Sequence, residues 1–218
     1  MIKAVIFDLD GTLANTLEDL TDGVNLALKK YGYPERTVEE ICEFVGNGIL
    51  NLLDRASSHK TDEEGLLKLR DEFYTYYSDH YCYKTYAYEG MAELIDALRV
   101  RGLMTAVVTN KDDEVAKTIV KNLLGERFNI VRGKLDGCPA KPDPTSTLAV
   151  MKELGVTPDE CVFLGDSGVD IMTGANSGAT AVGETWGFRD ESHLKEHGAK
   201  YIIHEPSELL GIIDSLNK

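Results

Sequence analysis

The sequence is short of basic residues. It has 23 lysines and arginines against 37 aspartates and glutamates, and the formal net charge is −14. Because a nucleic-acid backbone attracts proteins with an excess of positive charge, this balance argues against a nucleic-acid partner. A small anionic substrate remains compatible with such a chain if the binding site itself supplies cations.

Paired cysteines and long apolar runs are absent as well. The four cysteines include no Cys-x-x-Cys pair, so we expect buried hydrophobic side chains rather than a zinc or redox site. No apolar stretch has the length that spans a bilayer, and the first apolar run ends at Asp8. We therefore expect no membrane partner, no signal peptide and a cytoplasmic protein.

An acidic motif follows the first apolar run, Ala4 to Phe7, which reads as a buried strand. Asp8 and Asp10 are two residues apart, so on an extended chain they point the same way. Like charges that close need compensation, and a hard divalent cation with oxygen ligands would provide it. Gly11 permits a sharp turn whose amides can hold an anion. Alone, the Asp-Gly pair is more simply interpreted as a turn after a strand.

The periodicity of apolar residues changes along the chain. From Leu17 to about Tyr83 it is helical throughout, and from Met91 onward strands alternate with helices. This order predicts an α/β fold, a doubly wound parallel sheet with a Rossmann-like core, made of residues 1–15 and 84–218, with residues 16–83 as an inserted small α-helical domain. Helix caps are predicted at three pairs of residues: Thr16 with Asp19, Thr37 with Glu40, and Thr61 with Glu64.

Polar residues recur where the later strands end. Thr109 and Asn110 follow Leu103 to Val108, Lys141 lies in a later loop, and Asp166 follows Cys161 to Leu164. Taken singly, these residues fit a helix cap, a solvated lysine and a capped turn. Ligands of open α/β sheets bind beyond the carboxyl ends of the strands, however, so we expect these residues at one edge with Asp8. A cluster of carboxylates and one lysine there requires a cation and suits a phosphate.

Four motifs in this order resemble the haloacid dehalogenase superfamily, on its phosphatase branch. The match covers essentially the whole chain. The motifs are Asp8-Leu9-Asp10-Gly11-Thr12, Thr109 within Val108-Thr109-Asn110-Lys111, Lys141 within Ala140-Lys141-Pro142, and Gly165-Asp166-Ser167 with Asp170.

The resemblance implies a role for each matched residue. Asp8 would be the nucleophile that forms an aspartyl-phosphate, and Asp10 the general acid and base. Mg²⁺ would be bound by Asp8, the backbone carbonyl of Asp10, and Asp166, while Asp170 would orient the groups around the metal. The phosphoryl oxygens would be held by Thr109, Asn110 and Lys141.

The helical insertion resembles the small cap of this superfamily, which implies a small phosphorylated metabolite as substrate. The segment Gly46-Asn47-Gly48 resembles a substrate-selecting loop, although it also reads as a plain turn between helices. Phe44 to Gly48, the Thr109 motif and Thr185-Trp186-Gly187-Phe188 resemble bacterial phosphoglycolate phosphatases. The loop Gly133 to Ala140 and the residue Gly168 depart from that pattern.

Other functions remain open at this point. A phosphosugar mutase or a pyrophosphatase of the same superfamily would use the same motifs. A non-catalytic binding protein is disfavoured, because both Asp8 and Asp10 are present. The chain is expected to act as a monomer or a homodimer.

Overall fold

The computed structural model describes residues 1–218 and divides them into two compact units. One unit combines Met1–Ala14 with Ala87–Lys218, and the other is Asn15–Tyr86. None of the helices is both long enough and apolar enough to cross a bilayer.

The first unit is a parallel sheet with helices between its strands. Its strands are β1 (Ala4–Phe7), β4 (Met104–Asp112), β5 (Ile130–Lys134), β6 (Cys161–Gly165), β7 (Thr180–Glu184) and β8 (Tyr201–Ile203). Its helices are α5 (Met91–Val100), α6 (Asp113–Leu124), α7 (Thr145–Leu154), α8 (Gly168–Ser177), α9 (Glu191–Glu196) and α10 (Glu208–Leu216). The predicted α/β class is confirmed.

The sheet order is β5-β4-β1-β6-β7-β8, and every neighbouring pair is parallel. The chain builds β4 and β5 on one side of β1 and then returns to build β6, β7 and β8 on the other. The strand order therefore reverses at β1, a buried strand of four residues that has β4 on one side and β6 on the other.

The centre of the sheet, which consists of β1 and the strands beside it, is apolar. One core cluster joins Ala4 and Ile6 of β1 to Ala106 of β4, Phe163 of β6 and Val150 of α7. Because helices cover the faces of a parallel sheet, its central strands carry continuous apolar runs rather than an alternating pattern.

Two strand boundaries differ from the predicted ones. β4 continues to Asp112, so Thr109 and Asn110 lie within a strand whose pairing with β5 becomes irregular after Val108. β5 ends at Lys134 and includes Gly133, which was predicted as loop. A Cβ at Gly133 would lie 2.6 Å from the Lys111 carbonyl oxygen and 2.4 Å from Asp113 Cα, so glycine allows β5 to approach that backbone.

The second unit is helical. It contains α1 (Leu17–Lys30), α2 (Val38–Phe44), α3 (Ile49–Ala56) and α4 (Glu63–His80). The short strands β2 (Ala14–Asn15) and β3 (Tyr86–Ala87) pair with each other, and the boundary between the units passes through both. The largest buried side chains of α4 include Phe73 and Tyr77, whose rings stack with centroids 4.6 Å apart.

The three predicted helix caps have different outcomes. The Thr37–Glu40 box is confirmed, since Glu40 N donates to Thr37 Oγ1 and Thr37 N donates to Glu40 Oε2. At α4 the capping side chain is Asp62, which accepts from Gly65 N, so the prediction of Thr61 was wrong. At α1, Thr16 makes no side-chain cap, and Asp19 accepts instead from the backbone amides of Lys84 and Thr85.

The segment Gly46 to Gly48 connects α2 to α3. Gly46 and Gly48 have φ values of +117° and +82°, a conformation that favours glycine. Asn47 contributes its carbonyl oxygen, which accepts from the side chain of Asn51 at 2.8 Å. The geometry is that of a tight connection, and a role in substrate selection stays a prediction.

Candidate active site

The site begins at the carboxyl ends of β1 and β6. Phe7 lies opposite Leu164 in the parallel register, and Asp8 N donates to the Leu164 carbonyl oxygen at 3.0 Å. Asp8 and Asp166 therefore leave adjacent strands at the point where the strand order reverses, which is where open α/β sheets bind ligands.

Three carboxylates meet at this edge. Oxygen atoms of Asp8, Asp166 and Asp170 all lie within 4.8 Å of one another, and all three residues are buried. The sequence brings Asp166 here through the end of β6, and Asp170 through the first turn of α8, four residues later. Unpaired charges of one sign this close in a protein interior are costly.

Lys141 is the cation of the cluster. Its Nζ lies 2.7 Å from Asp170 Oδ1, in a hydrogen-bonded ion pair, and 2.7 Å from Asp8 Oδ1, in an ion pair without hydrogen-bond alignment. Burial alone would lower the pKa of Lys141, but the charges of Asp170 and Asp8 outweigh it and raise that pKa. The ammonium group also lies 5.4 Å from the ring centroid of Phe163, within cation–π range.

Asp170 is held by the start of its own helix. Its Oδ2 accepts from Ser167 N at 3.2 Å and from Ser167 Oγ at 2.5 Å, while its Oδ1 accepts from Lys141. A Cβ at Gly165 would lie 2.2 Å from Asp170 Cβ, so only glycine permits this approach. Both carboxylate oxygens of Asp170 are thus engaged, which suits an orienting residue.

The cluster has more negative charge than it can neutralise. Burial raises the pKa of Asp8 to about 7; nearby Lys141 opposes the rise and Asp170 adds to it. Burial, with the charges of Asp170 and Asp8, raises the pKa of Asp166 well above its usual value. Three buried carboxylates with one ammonium group, and a buried Asp8 oxygen without an aligned donor, fit a divalent cation that prefers oxygen ligands.

Thr109 and Asn110 lie on β4, next to β1. Thr109 is buried, and its Oγ1 accepts from Lys111 N at 3.3 Å. The side chain of Asn110 is bonded to the backbone of Lys141, donating to its carbonyl oxygen at 3.1 Å and accepting from its amide at 2.8 Å. Asn110 thereby places Lys141, and its role as a phosphate ligand stays a prediction.

Asp10 is paired with a lysine for which the sequence analysis suggested no role. Lys111 Nζ lies 2.9 Å from Asp10 Oδ1, and only 6% of the lysine side chain is exposed. The signal for it was present, because Lys111 is two residues beyond Thr109 on the same strand and reaches the same edge of the sheet.

Gly11 brings the loop after β1 close to Asp166. Its φ of +90° favours glycine, and a Cβ there would lie 2.3 Å from Asp166 Oδ2. Glycine is therefore required at this position for two reasons: the turn has a positive φ, and the carboxylate of Asp166 packs where a Cβ would lie.

A second missed residue is Glu184, the last residue of β7. It is fully buried, and its Oε2 accepts from the amides of Trp186 and Gly187 at 2.8 and 3.2 Å. A lone glutamate that ends an apolar strand could have been noticed by the argument that singled out Asp8.

The departure at Gly168 has a structural cause. A Cβ at this position would lie 2.4 Å from the ring of His197, and Gly168 N donates to His193 Nε2 at 3.2 Å. The two histidines of the α9 region thus pack over the first residue of α8, which leaves room for glycine alone.

Comparison with known proteins agrees with the fold. The family described as haloacid dehalogenase-like hydrolase matches residues 5–183. A phosphoglycolate phosphatase of Mannheimia succiniciproducens is 30% identical over 97% of this chain and 98% of its own. An N-acetylmuramic acid 6-phosphate phosphatase of Pseudomonas aeruginosa is 30% identical over 98% of this chain and 95% of its own.

Among solved structures, a provisional phosphoglycolate phosphatase from Lactobacillus delbrueckii subsp. bulgaricus superposes with a TM-score of 0.91 at 33% identity, covering 97% of this chain and 98% of its own. The chain therefore belongs to the haloacid dehalogenase-like hydrolase family, as an enzyme similar to the phosphoglycolate phosphatases, which are phosphoric monoester hydrolases.

Proposed function

We propose that the chain is a Mg²⁺-dependent phosphatase that hydrolyses a small phosphorylated metabolite, with phosphoglycolate as the first candidate, through an aspartyl-phosphate on Asp8. The observation that carries the proposal is the buried Lys141 ammonium group, 2.7 Å from both Asp8 and Asp170, beside Asp166. A phosphoryl group needs this combination of a carboxylate nucleophile and nearby positive charge.

The metal would be held by Asp8, Asp166 and the backbone carbonyl of Asp10, with Asp170 orienting the cluster. When bound, Mg²⁺ supplies the positive charge that keeps Asp8 ionised and lowers its repulsion of an incoming phosphate. Together, the positive charges of Mg²⁺ and Lys141 would allow an acidic protein to accept an anion.

In the first half-reaction, a carboxylate oxygen of Asp8 forms a bond to phosphorus while the bond from phosphorus to the substrate oxygen breaks. Asp10 donates a proton to that departing oxygen, so the product leaves as a neutral hydroxyl. Lys141 and Thr109 would hold the phosphoryl oxygens as charge shifts onto them.

In the second half-reaction, Asp10 takes a proton from water, and the resulting hydroxide attacks phosphorus. The bond between phosphorus and Asp8 breaks, inorganic phosphate leaves, and Asp8 is regenerated as a carboxylate. Lys111, 2.9 Å from Asp10, holds the carboxyl group that moves both protons.

The choice of substrate rests on the relatives. Four-fifths or more of each is covered by this chain, and they are named for phosphoglycolate and, in one case, for N-acetylmuramic acid 6-phosphate. Both compounds carry a carboxylate as well as a phosphate, and both belong in the test. We assign the helical unit as the cap that restricts the enzyme to small substrates, and the Gly46-Asn47-Gly48 segment as its selecting loop.

The experiment is phosphate release from a panel of esters by wild-type protein and by Asp8→Asn, with Mg²⁺ or with a chelator. We expect activity that requires Mg²⁺ and falls to background in Asp8→Asn. Asp136→Asn, in an exposed loop of the same unit, should retain wild-type activity.

Four results would count against this proposal. Asp8→Asn could retain activity, or the wild type could ignore the chelator. Product analysis could instead show an isomerised sugar phosphate, as from a mutase, or hydrolysis of pyrophosphate alone.

A further inference from the structure

The turn at the end of β7, residues 184–188, lies against both halves of the acidic site. Trp186 Nε1 donates to the Thr12 carbonyl oxygen at 3.1 Å, and Phe188 N donates to Asp166 Oδ2 at 2.8 Å. The turn therefore connects the loop after β1 to the carboxylate that ends β6.

Packing at Gly187 makes this connection tight. A Cβ built on Gly187 would lie 2.5 Å from Asp166 Cβ and 2.5 Å from the Gly11 carbonyl oxygen. Since one of these neighbours is backbone, the turn cannot shift away cheaply. Asp166 is thus enclosed between Gly11 on one side and Gly187 on the other.

Glu184 sets the shape of the turn. Its Oε2 accepts from two successive amides, Trp186 N and Gly187 N, so the turn is closed on a side chain rather than on the backbone alone. Its other oxygen, Oε1, is buried without a hydrogen-bond partner. A buried glutamate with one vacant oxygen is expensive for stability alone, which points to a positional role.

The protonation state of Glu184 is compatible with that role. Burial, together with the charge of Asp166, raises the pKa of Glu184 to about 10, although the amides of Trp186 and Gly187 oppose the rise. Its Oε2 accepts both of these amide hydrogen bonds. Glutamine has the same shape and can accept the same two bonds.

We propose that Glu184 is a positioning residue for the metal, which fixes the 184–188 turn so that the Phe188 amide orients Asp166 toward a divalent cation. This inference rests on the proposed function, because it assumes that Asp166 binds the metal. Partners that orient metal-binding side chains typically contribute about 10–100-fold to metal affinity.

The test is Mn²⁺ binding to the substrate-free protein, measured by electron paramagnetic resonance and calorimetry. Glu184→Met has a similar length and no acceptor, and we expect it to bind Mn²⁺ about 10-fold more weakly. Glu184→Gln, which retains the acceptor, should bind like the wild type.

Thr185→Val is the matched control within the turn. It removes the contact between Thr185 Oγ1 and His204 Nδ1, 2.9 Å apart, and leaves the bonds to Asp166 in place. Its Mn²⁺ affinity should equal that of the wild type. Unchanged affinity in a folded Glu184→Met protein would overturn the proposal and leave Glu184 a structural residue.

If Glu184→Met does not fold, Trp186→Phe provides the decision. It removes the bond to Thr12 and replaces the indole by a smaller ring. It should weaken Mn²⁺ binding measurably if this turn orients Asp166, whereas wild-type affinity would overturn the proposal. Two other outcomes would overturn the proposed function and this inference with it: no binding of a divalent cation by the wild type, or equal binding by Asp166→Asn.

Discussion

At the scale of single residues, Lys111 is the side chain in contact with the proposed proton donor. Its ammonium group lies 2.9 Å from Asp10 Oδ1 and is nearly buried. An ion pair of this kind holds the carboxyl group in one orientation, and proton transfer depends on that orientation.

We predict that Lys111→Met slows the first turnover of an alkyl phosphate by about 10-fold or more, because a misplaced Asp10 cannot protonate the departing oxygen. The first turnover of p-nitrophenyl phosphate should change little, since its leaving group departs without a proton. Rapid-mixing kinetics measures both.

Lys121→Met is the control for this substitution. Lys121 is an exposed lysine on the neighbouring α6, where 72% of its side chain is accessible. It should leave both rates unchanged. An equal loss on the two substrates in Lys111→Met would contradict an effect through Asp10.

The sequence could predict some of these residues and not others. Asp8 and Asp166 were placed together because both end strands of a parallel sheet, and the structure brings their oxygens within 4.8 Å. Lys111 and Glu184 are defined by their tertiary partners, Asp10 and two backbone amides. Their positions on the strands are visible in the sequence, but no local pattern identifies the partners that they bind.

At the scale of elements, Asp19 closes the helical unit. It lies in the first turn of α1, but its carboxylate accepts from Lys84 N at 3.0 Å, Thr85 N at 2.8 Å and Thr85 Oγ1 at 2.7 Å. The residue is 2% exposed. Asp19 therefore connects the beginning of the helical unit to its end, although the two are separated by most of the length of the unit.

We predict that Asp19→Ala lowers the free energy of unfolding by about 2–4 kcal/mol, because two buried donors and one partly buried donor lose a charged acceptor. Urea unfolding followed by far-ultraviolet circular dichroism measures it. Asp22→Ala, one turn later, breaks only a partly exposed ion pair with Lys84 and should cost about 1 kcal/mol or less. Equal costs for the two variants would refute the closing role of Asp19.

Asp19 also shows why element ends are hard to predict. Thr16 and Asp19 have the spacing of a capping pair, and the Thr37–Glu40 pair with the same spacing does form one. The difference is that Lys84 and Thr85 offer amides to Asp19 from the far end of the unit. Donors that are distant in the sequence thus override a local motif, and the sequence near Asp19 does not indicate them.

At the scale of the whole molecule, the excess of negative charge links stability to cation binding. The chain has a net charge of −14, and its site concentrates three buried carboxylates. A cation bound in the folded state alone stabilises that state through mass action.

We predict that Mg²⁺ at about 100 times its dissociation constant adds about 2.7 kcal/mol. For a chain of this size, that raises the Tm by roughly 5–10 °C, measured by calorimetry. NaCl of equal ionic strength should give a smaller rise by screening. Asp166→Asn should show only the NaCl effect, and a full Mg²⁺ shift in that variant would disprove binding at the cluster.

The fold class is the part that sequence predicted best. Alternating strands and helices from Met91 onward are sufficient to predict a parallel sheet, whereas the position of β1 between β4 and β6 is known from the structure. A long helix or strand is predicted from the pattern of many residues, so one wrongly predicted position, such as Gly133, does not change the predicted fold class.

The position of β1 has a consequence for how the protein is made. This strand is synthesised before both of its partners, β4 and β6, which begin at Met104 and Cys161. The helical unit lies in between as one uninterrupted segment, so its internal contacts can form before those of the sheet. The nascent chain therefore contains the complete helical unit before either partner of β1, and the carboxylate of Asp8 acquires its acidic neighbours only after β6 has been synthesised.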